Sequence, residues 1–196
     1  MDARPSHQAD RDADAALLAR YAAGDVVAAR LLTADLTPRL YSHALRVLGN
    51  EAAAQDVAQE AMLRLWKIAP RWRAGEAKVS TWAYRVVANL CSDLLRKGAS
   101  VDLDAIAEPV DPGRSAQGLM QDAARVDALQ AALATLPERQ RQAVVLRHLE
   151  GLSNTEIAEI LGVGIEAVES LTARGKRGLT AALSGQKAAL GFEDDG

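Results

Sequence analysis

Apolar residues recur along this chain three or four positions apart, and nowhere do they alternate with polar ones over the length of a strand. The spacing predicts a first helix over 13–23, stopped by Gly24, and a second over 26–48, closed by Gly49-Asn50, with Pro38 as a candidate bend. A third helix is predicted over 51–68, with Val57, Ala61, Leu65 and Ile68 on one stripe and Pro70 beyond its end. After a polar connection over 71–79, a fourth starts at Ser80 or Thr81 and reaches Lys97, with Trp82, Val86, Leu90 and Leu94 as its expected buried seam.

Residues 98–121 interrupt the pattern with two prolines, three glycines and an acidic bias, and read as a flexible acidic linker. Helical spacing resumes over 122–135, and Pro137 then introduces a helix over 138–150. Ser153-Asn154-Thr155-Glu156 has the form of a capping box, in which the serine hydroxyl and the glutamate carboxylate each satisfy a free amide. The helix it opens ends at Gly162, Gly162-Val163-Gly164 makes a tight break, and a last helix is expected over 165–183. The fold class expected is all-α. Two small helical domains, 13–97 and 122–184, are joined by the 98–121 linker and followed by an acidic tail, 185–196.

Composition narrows the classes. The 196 residues are 49% hydrophobic, which excludes wholesale disorder. No apolar run approaches the roughly 18 residues of a membrane helix, and the first residues are too polar for a signal peptide. One cysteine, Cys91, allows no internal disulfide and fits a reducing cytoplasm; within an apolar stretch it reads as a small core residue. The three histidines are far apart, none at metal-ligand spacing, and no phosphate-binding glycine loop or nucleophile motif is present. The expectation is therefore no enzyme, no metal and no cofactor.

The formal net charge of -3 at first argues against nucleic acid, but charge is unevenly placed. Residues 1–97 sum to +3, the stretch 98–131 to -4, residues 132–184 to zero and the tail to -2. Between Arg64 and Lys97 stand eight bases and only two acids, together with Trp66, Trp72, Trp82 and Tyr84. Bases interleaved with aromatics suit a surface that grips phosphates and stacks unpaired bases. The same composition also suits core tryptophans beneath a solvated basic face.

The short capped helix, the glycine break and the longer last helix have the proportions of a helix-turn-helix, whose second helix lies in the major groove. Arg174, Lys176 and Arg177 are the bases on that helix, and Ser170 lies one turn earlier. An ordinary helical hairpin with solvated charges has the same spacing. On the third helix, Asp56 and Glu60 share a face; with no histidine beside them and Arg64 one turn on, they read as a solvated or partner-binding acidic patch.

The order of these segments resembles the extracytoplasmic-function group of bacterial RNA polymerase sigma factors, over nearly the whole chain from Leu17 to Leu183. The residues that carry the likeness are Leu40-Tyr41 through Leu48-Gly49-Asn50, Gln55 to Trp66, Ser80 to Arg85, Ala88-Asn89-Leu90 and Asp93 to Lys97 for region two. Leu136 to Arg141, Gly151-Leu152-Ser153, Glu156-Ile157-Ala158 and Val168-Glu169-Ser170 carry it for region four.

The resemblance implies that Asp56, Gln59, Glu60 and Arg64 dock core RNA polymerase. It implies that the loop from Trp72 to Ser80 holds a flipped minus-ten base, with Lys78, Trp82, Arg85, Asn89, Arg96 and Lys97 along that DNA strand. Ser170, Arg174, Lys176 and Arg177 would read the minus-thirty-five element of promoter DNA, the linker would thread toward the polymerase cleft, and an anti-sigma factor would be a further partner. Glu169 and Leu171 stand where the group commonly carries bases, which implies an altered minus-thirty-five preference, since an acid accepts from a cytosine amino group but repels phosphates. Met62 replaces a more usual phenylalanine. A stand-alone helix-turn-helix regulator and a helical adaptor that binds no DNA are the other readings; the first leaves the basic aromatic window unexplained.

Overall fold

In the computed structural model, residues 7–73, 75, 77–101 and 117–184 are described. Eight α-helices are present among them: α1 (His7–Ala22), α2 (Val26–Leu48), α3 (Glu51–Ile68), α4 (Val79–Val101), α5 (Gln117–Ala134), α6 (Glu138–Val144), α7 (Asn154–Leu161) and α8 (Ile165–Ser184). No strand occurs among the described residues. Helices α4 and α5 reach further into the acidic stretch than spacing predicts; the rest of that stretch, 102–116, and the tail, 185–196, lie outside the described residues.

The α2–α3 corner shows why the boundaries fall where they do. Gly49 takes a left-handed conformation (φ 69°) that an alanine would resist, and its N–H closes on the Leu45 carbonyl. Asn50 then caps α3, its side-chain oxygen accepting from the Ala53 N–H at 2.8 Å. Asn50→Ala is expected to cost about 1 kcal/mol in urea unfolding, because one amide of the first turn loses its acceptor. Pro38 does not break α2, which is continuous from Val26 to Leu48.

The buried stripe of α4 differs from the expected seam. Val79, Ala83, Val87 and Cys91 are buried, with Tyr84 and Ala88 beside them, whereas Trp82, Val86 and Leu90 are partly covered and Leu94 is exposed. Ala83 and Ala88 let α4 approach its neighbours closely, so the small residues go inside and the tryptophan lies at the rim.

A second departure lies in the helix expected over 138–150. It is α-helical only to Val144, and Val145–Leu149 form a π-turn, after which the Glu150 N–H bonds to the Val145 carbonyl. Such a widened turn shifts the phase of the residues beyond it. Glu150 is the first of these, and it is carried onto the first domain.

The two helical units pack on one another. Leu146, Leu152, Ile157, Ile160 and Val168 join the same buried cluster as the core of α1–α4, while Leu133, Leu136, Val144 and Val145 form a smaller cluster of their own. Two side chains of the second unit also donate to carbonyls in the last turn of α2, where the helix runs out of backbone donors. Gln130 Nε2 donates to the Leu45 and Arg46 oxygens at 3.2 and 3.3 Å, and Arg141 Nη1 to the Val47 oxygen at 2.6 Å.

Candidate nucleic-acid interface

Three groups of side chains were expected to act, and each has a definite place. On α3, Asp56, Gln59 and Arg64 are exposed and Glu60 half-buried; Arg64 Nε donates to Glu60 Oε1 at 2.7 Å. Beside them, between α2 and α3, runs an apolar groove of about 510 Å³ lined by Thr37, Pro38, Tyr41, Gln59, Met62 and Trp66.

The second group splits. The Trp72 and Trp82 rings meet edge to face, 6.1 Å between centroids at 88°, ahead of and at the start of α4. Trp66 instead lies against Tyr21, at 4.5 Å, and belongs to the packing of α1 on α3. Arg85, Asn89 and Arg96 are exposed and, at four- and seven-residue spacing, fall along one stripe of α4; Lys97 is exposed beside them. Arg96 is paired with Asp93 at 2.6 Å. Ser80 is half-buried at the head of the helix.

Lys78 is not on an open surface. Its side chain is only 9% exposed, and its ammonium lies 2.5 Å from Glu156 Oε1 of the second unit. Glu156 also accepts from the Ser153 N–H and hydroxyl at 2.9 and 2.7 Å, which completes the capping box of α7. Burial alone would raise its pKa; the Lys78 ammonium and the Ser153 donors outweigh that and hold it down to about 2.

Close by, Glu150 accepts from Arg46 Nη1 at 2.9 Å and from the Tyr84 hydroxyl at 2.7 Å. Burial first, and the Glu150 carboxylate second, keep that hydroxyl protonated far above its ordinary range. Ser92, on the α4 stripe between Asn89 and Arg96, donates to Glu138, and Gln142 Nε2 reaches the Ser92 hydroxyl at 3.1 Å. Sequence reasoning missed this junction, although Glu156 was visible in it as a cap.

The third group is the helix-turn-helix. Ser153 caps α7, Gly162 ends it with φ 64°, and α8 begins after one further turn. Ser170, Arg174 and Arg177 lie on one exposed face of α8, with Arg174 Nε donating to the Ser170 carbonyl at 3.3 Å. Lys176 points elsewhere, into a groove it lines with Leu129, Val144, His148, Leu149 and Leu179. Glu169 is exposed, 3.5 Å from Asn154 Nδ2. The inward side of α8 carries Val168 and Gly175, both buried.

No group of three or more potential ligands that could hold a metal ion occurs among the described residues, and none of their helices is long and apolar enough to cross a membrane. Cys91 is fully buried, and burial pushes its thiol up to about 12, as expected of a core residue.

Residues 32–101 match the Sigma-70 region 2 family and residues 127–179 match Sigma-70, region 4. The chain is 35% identical to the ECF RNA polymerase sigma factor SigM of Mycobacterium tuberculosis over 83% of its own length and 81% of SigM. It is 34% identical to the ECF RNA polymerase sigma factor SigE of Mycolicibacterium smegmatis over 72% of its length, and spans 56% of that protein. Among solved structures, CnrH in complex with the cytosolic domain of CnrY is similar with a TM-score of 0.67 and 25% identity, over 88% of this chain and 98% of that one. The basic aromatic window lies inside the first matched region and the turn and most of the capped helix-turn-helix inside the second, and the chain belongs to the extracytoplasmic-function group of RNA polymerase sigma factors.

Proposed function

We propose that this sigma factor binds core RNA polymerase through the α3 face of Asp56, Gln59, Glu60 and Arg64, and reads promoters with two separate surfaces. The observation that carries the reading is that α4 and α8 each hold a stripe of exposed polar and basic side chains, Arg85-Asn89-Arg96 and Ser170-Arg174-Arg177. The first adjoins Trp72 and Trp82, which suits capture of unpaired minus-ten bases by stacking, with strand separation stabilised by trapping rather than by fuel. The second suits the major groove of the minus-thirty-five duplex. Lys176 lies off that stripe and would serve at most a phosphate. An anti-sigma partner belongs to the same reading; CnrH, to which the chain is similar, is likewise found in complex with part of a second protein, the cytosolic domain of CnrY.

The test is run-off transcription with purified core polymerase on genomic promoter fragments. Initiation from specific fragments is expected, with Arg174→Ala lowering it about tenfold on promoters that carry a minus-thirty-five element. Arg85→Ala/Asn89→Ala should instead reduce open-complex formation on duplex templates more than on pre-melted ones. A chain that neither binds core nor initiates from any fragment would sink the reading.

A further inference from the structure

Two acids stand in the first half of α8, and only one has a structural reason to be there. Glu166 lies in the first turn, where a carboxylate favours the positive end of the helix dipole. Glu169 lies further on, where that effect has faded, and it is exposed. The positions one turn from it on α8 are Ile165, Glu166, Thr172 and Ala173, none of them a base, so no ion pair along the helix accounts for it. Its partner comes from the other helix of the motif. Asn154, the first residue of α7, brings Nδ2 to 3.5 Å from Glu169 Oε1. The cap of α7 is Ser153, so the Asn154 amide is not needed to begin that helix. Glu169 therefore flanks the Ser170-Arg174-Arg177 stripe on its edge toward α7, with one carboxylate oxygen engaged by that amide and the other not.

We propose that Glu169 is a specificity-determining residue of the minus-thirty-five contact, accepting a hydrogen bond from a cytosine amino group, with Asn154 as the positioning residue that holds its carboxylate. The inference rests on the major-groove role proposed for α8. In a helix-turn-helix the N-terminal part of the second helix meets base edges while the first helix crosses the backbone, and Glu169 is the fifth residue of α8. A carboxylate offers only acceptors. In the major groove guanine presents two acceptors, thymine an acceptor and a methyl group, and adenine an amino group beside the N7 acceptor. Cytosine presents an amino donor with no acceptor next to it, and is the base edge that Glu169 meets without repulsion. Set against a phosphate instead, the same carboxylate would bring like charges together. The acid thus narrows the choice of bases beyond what Arg174 and Arg177 supply. The Asn154 contact adds preorganisation. An exposed glutamate loses rotamer freedom on binding, and a donor already on one oxygen reduces that loss while leaving the other oxygen for the base.

The experiment uses holoenzyme assembled from the full chain and core polymerase, with a pool of linear templates. The pool is randomised over the minus-thirty-five element of a genomic fragment from which the wild-type holoenzyme initiates. Complexes that resist heparin are recovered and their templates sequenced. For the wild type, cytosine on one strand at one position is expected to be enriched about tenfold over the other three bases. Glu169→Gln should move that preference to adenine, because glutamine donates to N7 and accepts from the N6 amino group, while the bases chosen at other positions stay as they were. Asn154→Ala should weaken the cytosine preference about threefold at the same position and leave the rest of the profile and the thermal unfolding unchanged, which a merely structural role would not do. A Glu169→Gln profile identical to that of the wild type at every position overturns the proposal. So does a uniform gain across all templates with a steeper salt dependence, which would make Glu169 a brake on phosphate binding. A wild-type holoenzyme that initiates without regard to any base of the element overturns the major-groove reading beneath, and this inference with it.

Discussion

Gly175→Ala destabilises the second domain by about 1–3 kcal/mol, opposite in sign to the usual gain of about 1 kcal/mol for glycine to alanine inside a helix. A Cβ at position 175 would stand 2.5 Å from Val144 Cγ2 and 3.0 Å from the Gln140 carbonyl oxygen. Valine is stiff about χ1 and the carbonyl is part of α6, so neither can yield without moving the helix. Gly178 repeats the arrangement one turn on, where an added Cβ would lie 2.7 Å from Leu136 Cδ2. Gly175 sets the closeness of α6 to α8, and Gly178 that of α8 to Leu136 in the connection before α6; together they set the attitude of the Ser170-Arg174-Arg177 face. Gly98→Ala is the control: nothing lies within 4 Å of its added Cβ on α4, so it should be neutral or stabilising. Chemical denaturation of the three proteins settles the matter. Equal effects at 175 and 98 would show that helix propensity, and not the α6–α8 contact, governs both.

These glycines also show what a sequence reveals and what it hides. Two glycines three apart inside an apolar-periodic helix weaken it, and that cost signals close packing, though not its partner. Helix order, the α2–α3 corner and the capping box were legible because each depends on residues within one turn. The buried stripe of α4 was misplaced because Ala83 and Ala88 carry little weight in a hydrophobic pattern while Trp82 carries much, yet close packing favours the small ones. The α3 face and the Ser170-Arg174-Arg177 stripe were legible as spacing. The junction was not. Arg46 and Glu150 are 104 residues apart, Lys78 and Glu156 are 78 apart, and the π-turn that aims Glu150 has no sequence mark. The resemblance therefore sets Lys78 among the residues along the DNA strand, whereas in the fold it is covered by the second unit.

Acid destabilises this protein well above the carboxylate range, by about 2–3 kcal/mol at pH 4.5 relative to neutrality, and the main cause is one histidine. His43 is fully buried in α2, neither ring nitrogen has a hydrogen-bond partner, and its ring stands edge-on to Tyr84, 5.6 Å between centroids. Burial first, and the positive charge of Arg46 second, lower its pKa from 6.5 to about 3. Above pH 6.5 the side chain is neutral folded or unfolded, and contributes no pH dependence. Below it the unfolded chain takes up a proton that the folded chain refuses, so stability falls by about 1.4 kcal/mol per pH unit until the folded value near 3 is reached. Carboxylates held low, such as Glu156, withdraw their contribution only below about pH 4.5, so the interval from 6.5 to 4.5 isolates the histidines. His148, also lowered by burial and then by Lys176 and Arg147, acts with the same sign from a less buried place. His43→Leu should leave stability at pH 7 unchanged or higher, since two unpaired nitrogens are removed, and should flatten most of the slope in urea titrations between pH 6.5 and 4.5. Parallel curves for the two proteins would assign the acid sensitivity elsewhere. The position of His43 gives the effect a direction: it contacts Tyr84, whose hydroxyl holds Glu150, so a proton forced onto it disturbs the seat of the second domain before it disturbs α8.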